Sequence, residues 1–233
     1  MTLTDSMVEI PSDRVTLRAF LAAPTAAGGV APAVVVLHEW WGLNDHIKDI
    51  AVRLAGAGYV ALAPDLYSRQ GHAVTHDPQK AAALMNALSS QHVLRDLNAA
   101  TTYLTRQPIV DPRRIGILGF CMGGTLALTQ ATHNSDLKAA VIFYGKVPPI
   151  ETLDYLLCPV LYHRAEQDGW VTAQEADRLR QGLAQFGKPG DVVSYPDCQH
   201  AFFNDTRPEV YSERDARLAW DRTLQFFKRH LRG

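Results

Sequence analysis

The 233-residue sequence has almost no charge imbalance, with 23 Lys and Arg against 24 Asp and Glu. A nucleic-acid-binding surface needs a basic face, so this balance argues against one. Long apolar runs are missing as well. A stretch such as AVVVL (33–37) falls far below the ~18 residues of a membrane-crossing helix. The first ten residues, MTLTDSMVEI, have no basic start and no apolar core, so no signal peptide is expected. Cysteine is scarce: Cys121, Cys158 and Cys198 are widely spaced and form no CxxC pair. That excludes a zinc-site reading and makes a reducing, cytoplasmic setting the simpler expectation. Repeats, low-complexity segments and linker-length Pro/Gly stretches are all absent. So is the G-x-x-x-x-G-K-[ST] phosphate loop, and GFCMGG (119–124) lacks the G-x-G opening of a dinucleotide fingerprint.

What is there is a soluble-protein composition, 47% hydrophobic and 20% charged, which excludes disorder and a coiled coil. Short β-branched apolar runs recur at 33–38, 59–64, 114–120, 139–145, 159–165 and 191–196. They are continuous rather than alternating, the pattern of strands buried on both faces of a parallel sheet. Amphipathic stretches lie between and beyond them at 46–57, 77–89, 92–106, 123–132, 173–186 and 214–231. The segments 7–10 and 14–22, ahead of a PTAAGG turn (24–29), read as an antiparallel edge pair. The expectation is one α/β domain over 1–233, a mostly parallel doubly wound sheet flanked by helices, with antiparallel N-terminal strands. Ligands in such folds sit at the carboxyl ends of the strands.

Three strand exits carry matching chemistry. The strand IGILGF ends in Gly119-Phe120-Cys121-Met122-Gly123-Gly124 and then a helix. This is the strand–turn–helix setting of a nucleophile elbow, where flanking glycines let strand and helix approach closely. A thiol at a helix N-terminus is also favoured as thiolate. The alternative is a buried cysteine in a Gly-rich turn without chemistry. In the nucleophile–acid–histidine order of the α/β-hydrolase fold, the acid and base should follow on later exits. PVLYHRA runs into Glu166-Gln167-Asp168-Gly169, and DVVSYP into Asp197-Cys198-Gln199-His200. Asp168 is preferred over Glu166 because it lies deeper in its loop with Gly169 behind it, although it could instead cap the next helix. His200 is preferred over His163, which lies within a strand. Cys158 and Cys198 fall at opposite ends of neighbouring strands, so three thiols are expected.

The first-strand exit reads His38-Glu39-Trp40-Trp41-Gly42. In this fold that loop supplies one oxyanion-hole N–H, here Trp40, and the residue after the nucleophile, Met122, supplies the other. Trp41, Tyr144, Phe202 and Asn204 are the candidate pocket residues. Glu39 is a carboxylate beside an aromatic pair. Its plain alternative is a salt bridge with Arg69 or Arg164.

HEWWGLN (38–44), APDLY (63–67), GFCMGG, EQD (166–168) and HAFFND (200–205) together resemble the dienelactone hydrolase family of the α/β-hydrolase fold, from the first strand to the last helix. The resemblance implies Cys121, Asp168 and His200 as a catalytic triad. It also implies that Glu39 keeps the resting thiol unreactive until substrate displaces it. It implies hydrolysis of a small ester or lactone. That chemistry needs no metal or organic cofactor, the charge balance and short apolar runs give no nucleic-acid or membrane partner, and the sequence leaves the oligomeric state open, a monomer being one option. One departure matters. Members of the family hold a substrate carboxylate with two arginines, and here one of those positions is Asn204. The segment that carries the other (77–90) has Lys80 but no arginine. Lys80 or Arg207 could substitute, although a bidentate grip favours arginine. The alternatives are an esterase or thioesterase on neutral substrates, or a non-catalytic ligand-binding or redox-sensing protein of the same fold.

Overall fold

The computed structural model describes residues 2–25 and 29–232. The chain forms two compact units, 1–116 and 117–233. The middle of the anticipated PTAAGG turn lies outside the described residues.

In the first unit, β1 (Leu3–Ser12) and β2 (Val15–Pro24) form the antiparallel pair, in register from Leu3 opposite Pro24 to Ser12 opposite Val15. β2 then lies antiparallel to β4 (Val60–Pro64), which runs parallel to β3 (Ala31–Leu37). The two parallel strands are buried almost throughout, as their unbroken apolar sequences require. β1 is mostly solvent-facing and carries polar residues, as suits an edge strand. Helix α1 (Asp45–Gly56) starts where the Asn44 side chain accepts the Ile47 N–H at 3.2 Å. α2 (Pro78–Asn86) starts at Asp77 with proline in its first turn, and α3 (Ser90–Thr105) follows.

β5 (Val110–Phe120) leads into the second unit, where the strand order is β5, β6 (Leu137–Phe143), β7 (Val160–Ala165), β8 (Gly190–Tyr195). β6, β7 and β8 are parallel, with Ala140 beside Val160 and Val160 beside Gly190. Helices α4 (Met122–Gln130), α5 (Ala173–Gln185) and α6 (Glu213–Leu231) complete the unit. α5 opens on a capping box between Thr172 and Glu175, so the α5 cap is Thr172 and not Asp168. Short 3-10 turns at Ser68–Gln70 and Ile150–Tyr155 have no counterpart in the sequence pattern. None of the three cysteines is in a disulfide, and no helix among the described residues is long and apolar enough to cross a membrane.

Candidate active site

In the second unit, β5 ends at Phe120 and the chain turns sharply into α4 through Cys121. Its φ of 54° and ψ of −117° lie in a region that side chains rarely enter. The turn is held from both sides: the Cys121 N–H donates to the Phe143 carbonyl at 3.0 Å, and the Cys121 carbonyl accepts the Thr125 N–H at 3.1 Å. Close packing explains the flanking glycines. A Cβ on Gly119 would meet the Gly123 carbonyl oxygen at 2.1 Å, and one on Gly124 the Phe143 oxygen at 2.8 Å. No side-chain hydrogen bond caps α4, because a thiol stands where Ser or Asp would normally serve. Met122 is the first residue of that helix, directly after the turn.

The exits of β7 and β8 meet at one short hydrogen bond. His200 Nδ1 lies 2.7 Å from Asp168 Oδ2. A carboxylate can only accept, so Nδ1 carries the proton and Nε2 of the neutral ring keeps its lone pair. The other carboxylate oxygen, Oδ1, accepts the Trp170 and Val171 N–H groups at 2.7 and 2.9 Å. Asp168 is thus fixed by its own loop while it orients the ring. The rival acid Glu166 is solvent-facing and lies 3.8 Å from Arg164. The rival base His163 is buried inside β7, between the Tyr195 hydroxyl (2.9 Å) and the Thr223 hydroxyl (3.1 Å). Burial, helped by the Arg222 charge, pushes its pKa down to about 3.

Aromatic rings frame His200. Tyr144 lies edge-on at 4.9 Å between centroids and Trp170 at 5.1 Å. Tyr144 directly follows β6 and takes φ = 40°, another strained non-glycine position at a strand exit. Trp170 in turn carries the Lys146 ammonium over its face at 4.6 Å. Trp170 and Lys146 were not picked out in the sequence. The one available signal for Trp170 was an aromatic residue two positions past the acid. Of the candidate pocket residues, Phe202 is fully buried and packs on Tyr144 and Tyr195. Asn204 is also buried, and its side-chain oxygen accepts from the Thr206 N–H and hydroxyl. Arg207 lies 2.8 Å from Glu209.

In the first unit, Glu39 is 2% exposed. Its suggested partner Arg69 bonds Asp96 through two nitrogens (2.8 and 2.7 Å) and reaches the Ser12 carbonyl, while Arg164 pairs with Glu166. Neither arginine is therefore the partner proposed for Glu39. Trp40 and Trp41 pack edge to face with centroids 4.9 Å apart. Gly42 turns the loop at φ = 92°, where a Cβ would meet the Ala73 carbonyl oxygen at 2.2 Å. No group of three or more His, Cys, Asp or Glu among the described residues could hold a metal ion.

Residues 17–231 match the family model for the dienelactone hydrolase family. The chain belongs to that family. An Escherichia coli (strain K12) protein assigned provisionally as a carboxymethylenebutenolidase is 34% identical over 95% of this chain and 85% of its own length. A Bradyrhizobium protein assigned provisionally as a 2-oxo-3-(5-oxofuran-2-ylidene)propanoate lactonase is 32% identical, covering 100% of this chain and 97% of its own. Among solved structures, one from Klebsiella pneumoniae subsp. pneumoniae MGH 78578, assigned provisionally as a dienelactone hydrolase, superposes with a TM-score of 0.91. It is 33% identical and covers 97% of this chain and 99% of its own. The fold is therefore that of an α/β-hydrolase, mostly parallel strands flanked by helices, and the chain is a hydrolase of the ester and lactone class.

Proposed function

We propose that this member of the dienelactone hydrolase family hydrolyses carboxylic esters or lactones through a Cys121–His200–Asp168 triad within one α/β-hydrolase domain. The observation that carries the reading is the 2.7 Å bond between His200 Nδ1 and Asp168 Oδ2, which leaves Nε2 as the base. The strained turn at Cys121 supports it from the other side, since backbone strain of this kind clusters at functional positions.

In this mechanism His200 Nε2 takes the thiol proton as Cys121 Sγ bonds the carbonyl carbon. The carbonyl π pair moves onto oxygen, and the Met122 and Trp40 N–H groups stabilise that oxyanion. Collapse breaks the bond to the leaving oxygen, which takes the proton from His200. Water then gives a proton to His200 and attacks the thioester, and the Cys121 thiolate leaves and is reprotonated. Thiolate is a better leaving group than an amine, so amides tend to revert and enol esters or lactones suit this nucleophile. Family resemblance gives Glu39 its role, restraint of the resting thiol followed by help with its deprotonation.

Neutral substrates form a second reading, favoured by the ion pairs of Arg207 with Glu209 and Arg69 with Asp96. The Bradyrhizobium relative's assigned substrate carries a carboxylate, so the two readings separate on substrate charge. Intact-protein mass after brief incubation with a panel of lactones and esters should show an acyl adduct on Cys121 and none on Cys121→Ala. Turnover by Cys121→Ala at the wild-type rate would end the triad reading.

A further inference from the structure

The β3 exit loop is held by its carbonyl groups, one after another. The Glu39 carbonyl lies 2.5 Å from His38 Nδ1. The Trp40 carbonyl accepts the Tyr67 hydroxyl at 2.9 Å. The Trp41 carbonyl accepts the Thr75 N–H at 3.0 Å. His38 is fully buried and packs at a tilt of 60° against Tyr67, with ring centroids 5.1 Å apart. Its other nitrogen, Nε2, accepts the Leu66 N–H at 3.1 Å. A backbone N–H can only donate, so Nε2 is bare and Nδ1–H donates to Glu39. Burial lowers the His38 pKa and keeps the ring in this neutral form.

In a trans peptide the N–H points opposite to the C=O of the same plane. The Glu39–Trp40 peptide is trans, and its carbonyl is turned toward His38, so the Trp40 N–H faces the other way. Among the described residues that N–H has no hydrogen-bond partner, although the carbonyls on either side of it are both engaged. An unengaged donor with a fixed direction is what electrostatic stabilisation of a developing oxyanion requires.

We infer that His38 and Tyr67 are positioning residues that lock the Glu39–Trp40–Trp41 backbone so that the Trp40 N–H is preset as an oxyanion donor. The inference rests on the reading of Trp40 given above. Neither side chain needs to touch substrate. His38 sets the peptide plane that contains the donor, and Tyr67 stops the next plane from turning.

The test compares two reactions of the same thiol. Ester hydrolysis passes through an oxyanion, whereas alkylation by iodoacetamide is displacement at a saturated carbon and forms none. With p-nitrophenyl acetate, His38→Leu should lower kcat by ~30- to 300-fold, near the range for losing one oxyanion donor. Tyr67→Phe, which deletes a single oxygen, should lower it by ~3- to 10-fold, the equivalent of one neutral hydrogen bond. KM and the Cys121 alkylation rate, read by peptide mass, should stay near wild type in both. His38→Gln, which restores a neutral donor and acceptor, should recover much of the loss.

Unchanged kcat in both variants would overturn the inference. So would a parallel fall in turnover, alkylation and melting temperature, which marks a merely structural role. If His38→Leu fails to fold, Tyr67→Phe decides alone. Cys121→Ala, run alongside, separates this outcome from failure of the triad reading: full turnover there condemns the nucleophile whatever His38 does.

Discussion

His163 sits inside β7, and His200 sits in the loop that leaves the neighbouring strand β8. Both rings are hydrogen-bonded and both lie among aromatic residues, yet their surroundings prepare them for different tasks. His163 is fully buried between two hydroxyls. The Arg222 guanidinium donates to the Tyr195 oxygen at 3.3 Å, so the Tyr195 O–H donates to His163 Nδ1, and Nε2–H donates to Thr223. Both nitrogens are satisfied and the ring has no proton to exchange. His200 has one nitrogen held by a carboxylate and a side chain still 22% exposed. The interior position satisfies both nitrogens of its ring, whereas the exit position holds one nitrogen and leaves the other for chemistry. The comparison predicts that changes at the exits remove activity and spare stability, and that changes in the interior do the reverse.

The largest effect should come at the elbow. Cys121→Ala should lower kcat/KM for a reactive ester by at least ~10³-fold, as loss of a triad nucleophile does elsewhere. Its unfolding free energy should stay within about 1 kcal/mol of wild type, because the thiol makes no helix cap. Steady-state kinetics beside urea melts would show both. A destabilised and still active variant would reverse the assignment of exit and interior.

Asp168→Asn should come next, at ~10²- to 10⁴-fold in kcat. The amide keeps an oxygen for the Trp170 and Val171 N–H groups, so the loop should survive. It presents an NH₂ to His200 Nδ1, which favours the tautomer with the proton on Nε2 and removes the base. Steady-state kinetics should show the loss of kcat while circular dichroism stays native.

His163→Leu tests the opposite prediction. Leaving the Tyr195 and Thr223 hydroxyls without this partner should cost ~1–3 kcal/mol of stability. Activity should stay within about threefold, because both ring nitrogens are engaged in the interior and neither is left for the chemistry. There is also a pH signature. The folded-state pKa of about 3 lies below the ordinary value of 6.5, so between these limits the unfolded chain binds the proton that the native chain refuses. Stability therefore falls as pH drops from 6.5 toward 3. Removing His163 should flatten this part of the urea-midpoint profile. A residual slope of the same sign should remain from His38, whose pKa burial also lowers.

How far sequence reading reached follows the same division. β3 and β4 were legible because a strand buried on both faces writes an unbroken apolar run. β1 was seen only at 7–10, although it spans Leu3–Ser12, because an edge strand with a wet face leaves little hydrophobic signal. Cys121, Asp168 and His200 could be chosen from residue type, order and position at strand exits, and the structure brings Asp168 and His200 into contact. The supporting groups could not. Trp170 and Tyr144 meet His200 only after three separate exits are placed side by side. His38 looked idle in the sequence because its work is on backbone carbonyls and N–H groups, which no residue pattern displays. The bond from the Thr206 N–H to the Asn204 side chain was likewise not legible, because a turn asparagine bonding nearby backbone leaves no pattern of its own.

The smallest predicted effect concerns substrate charge, and it tests how available the exits are to an anion. Arg207 is paired with Glu209, Arg69 with Asp96, and Lys80 is exposed in the first turn of α2. No arginine fork is left for a carboxylate at the positions where the family keeps one. A charge-assisted hydrogen bond is worth ~1.5–3 kcal/mol, so its loss corresponds to roughly ten- to a hundredfold in kcat/KM. A neutral ester or lactone should therefore be turned over with about tenfold higher kcat/KM, or more, than its carboxylate-bearing counterpart. The paired assay uses one leaving group, with and without the free acid, at one pH and ionic strength. A tenfold preference for the acid would sink the idea. It would direct attention to Lys146, whose ammonium rests on the Trp170 face and has no acidic partner among the described residues. Lys146→Met should then remove the preference and leave the neutral substrate unaffected.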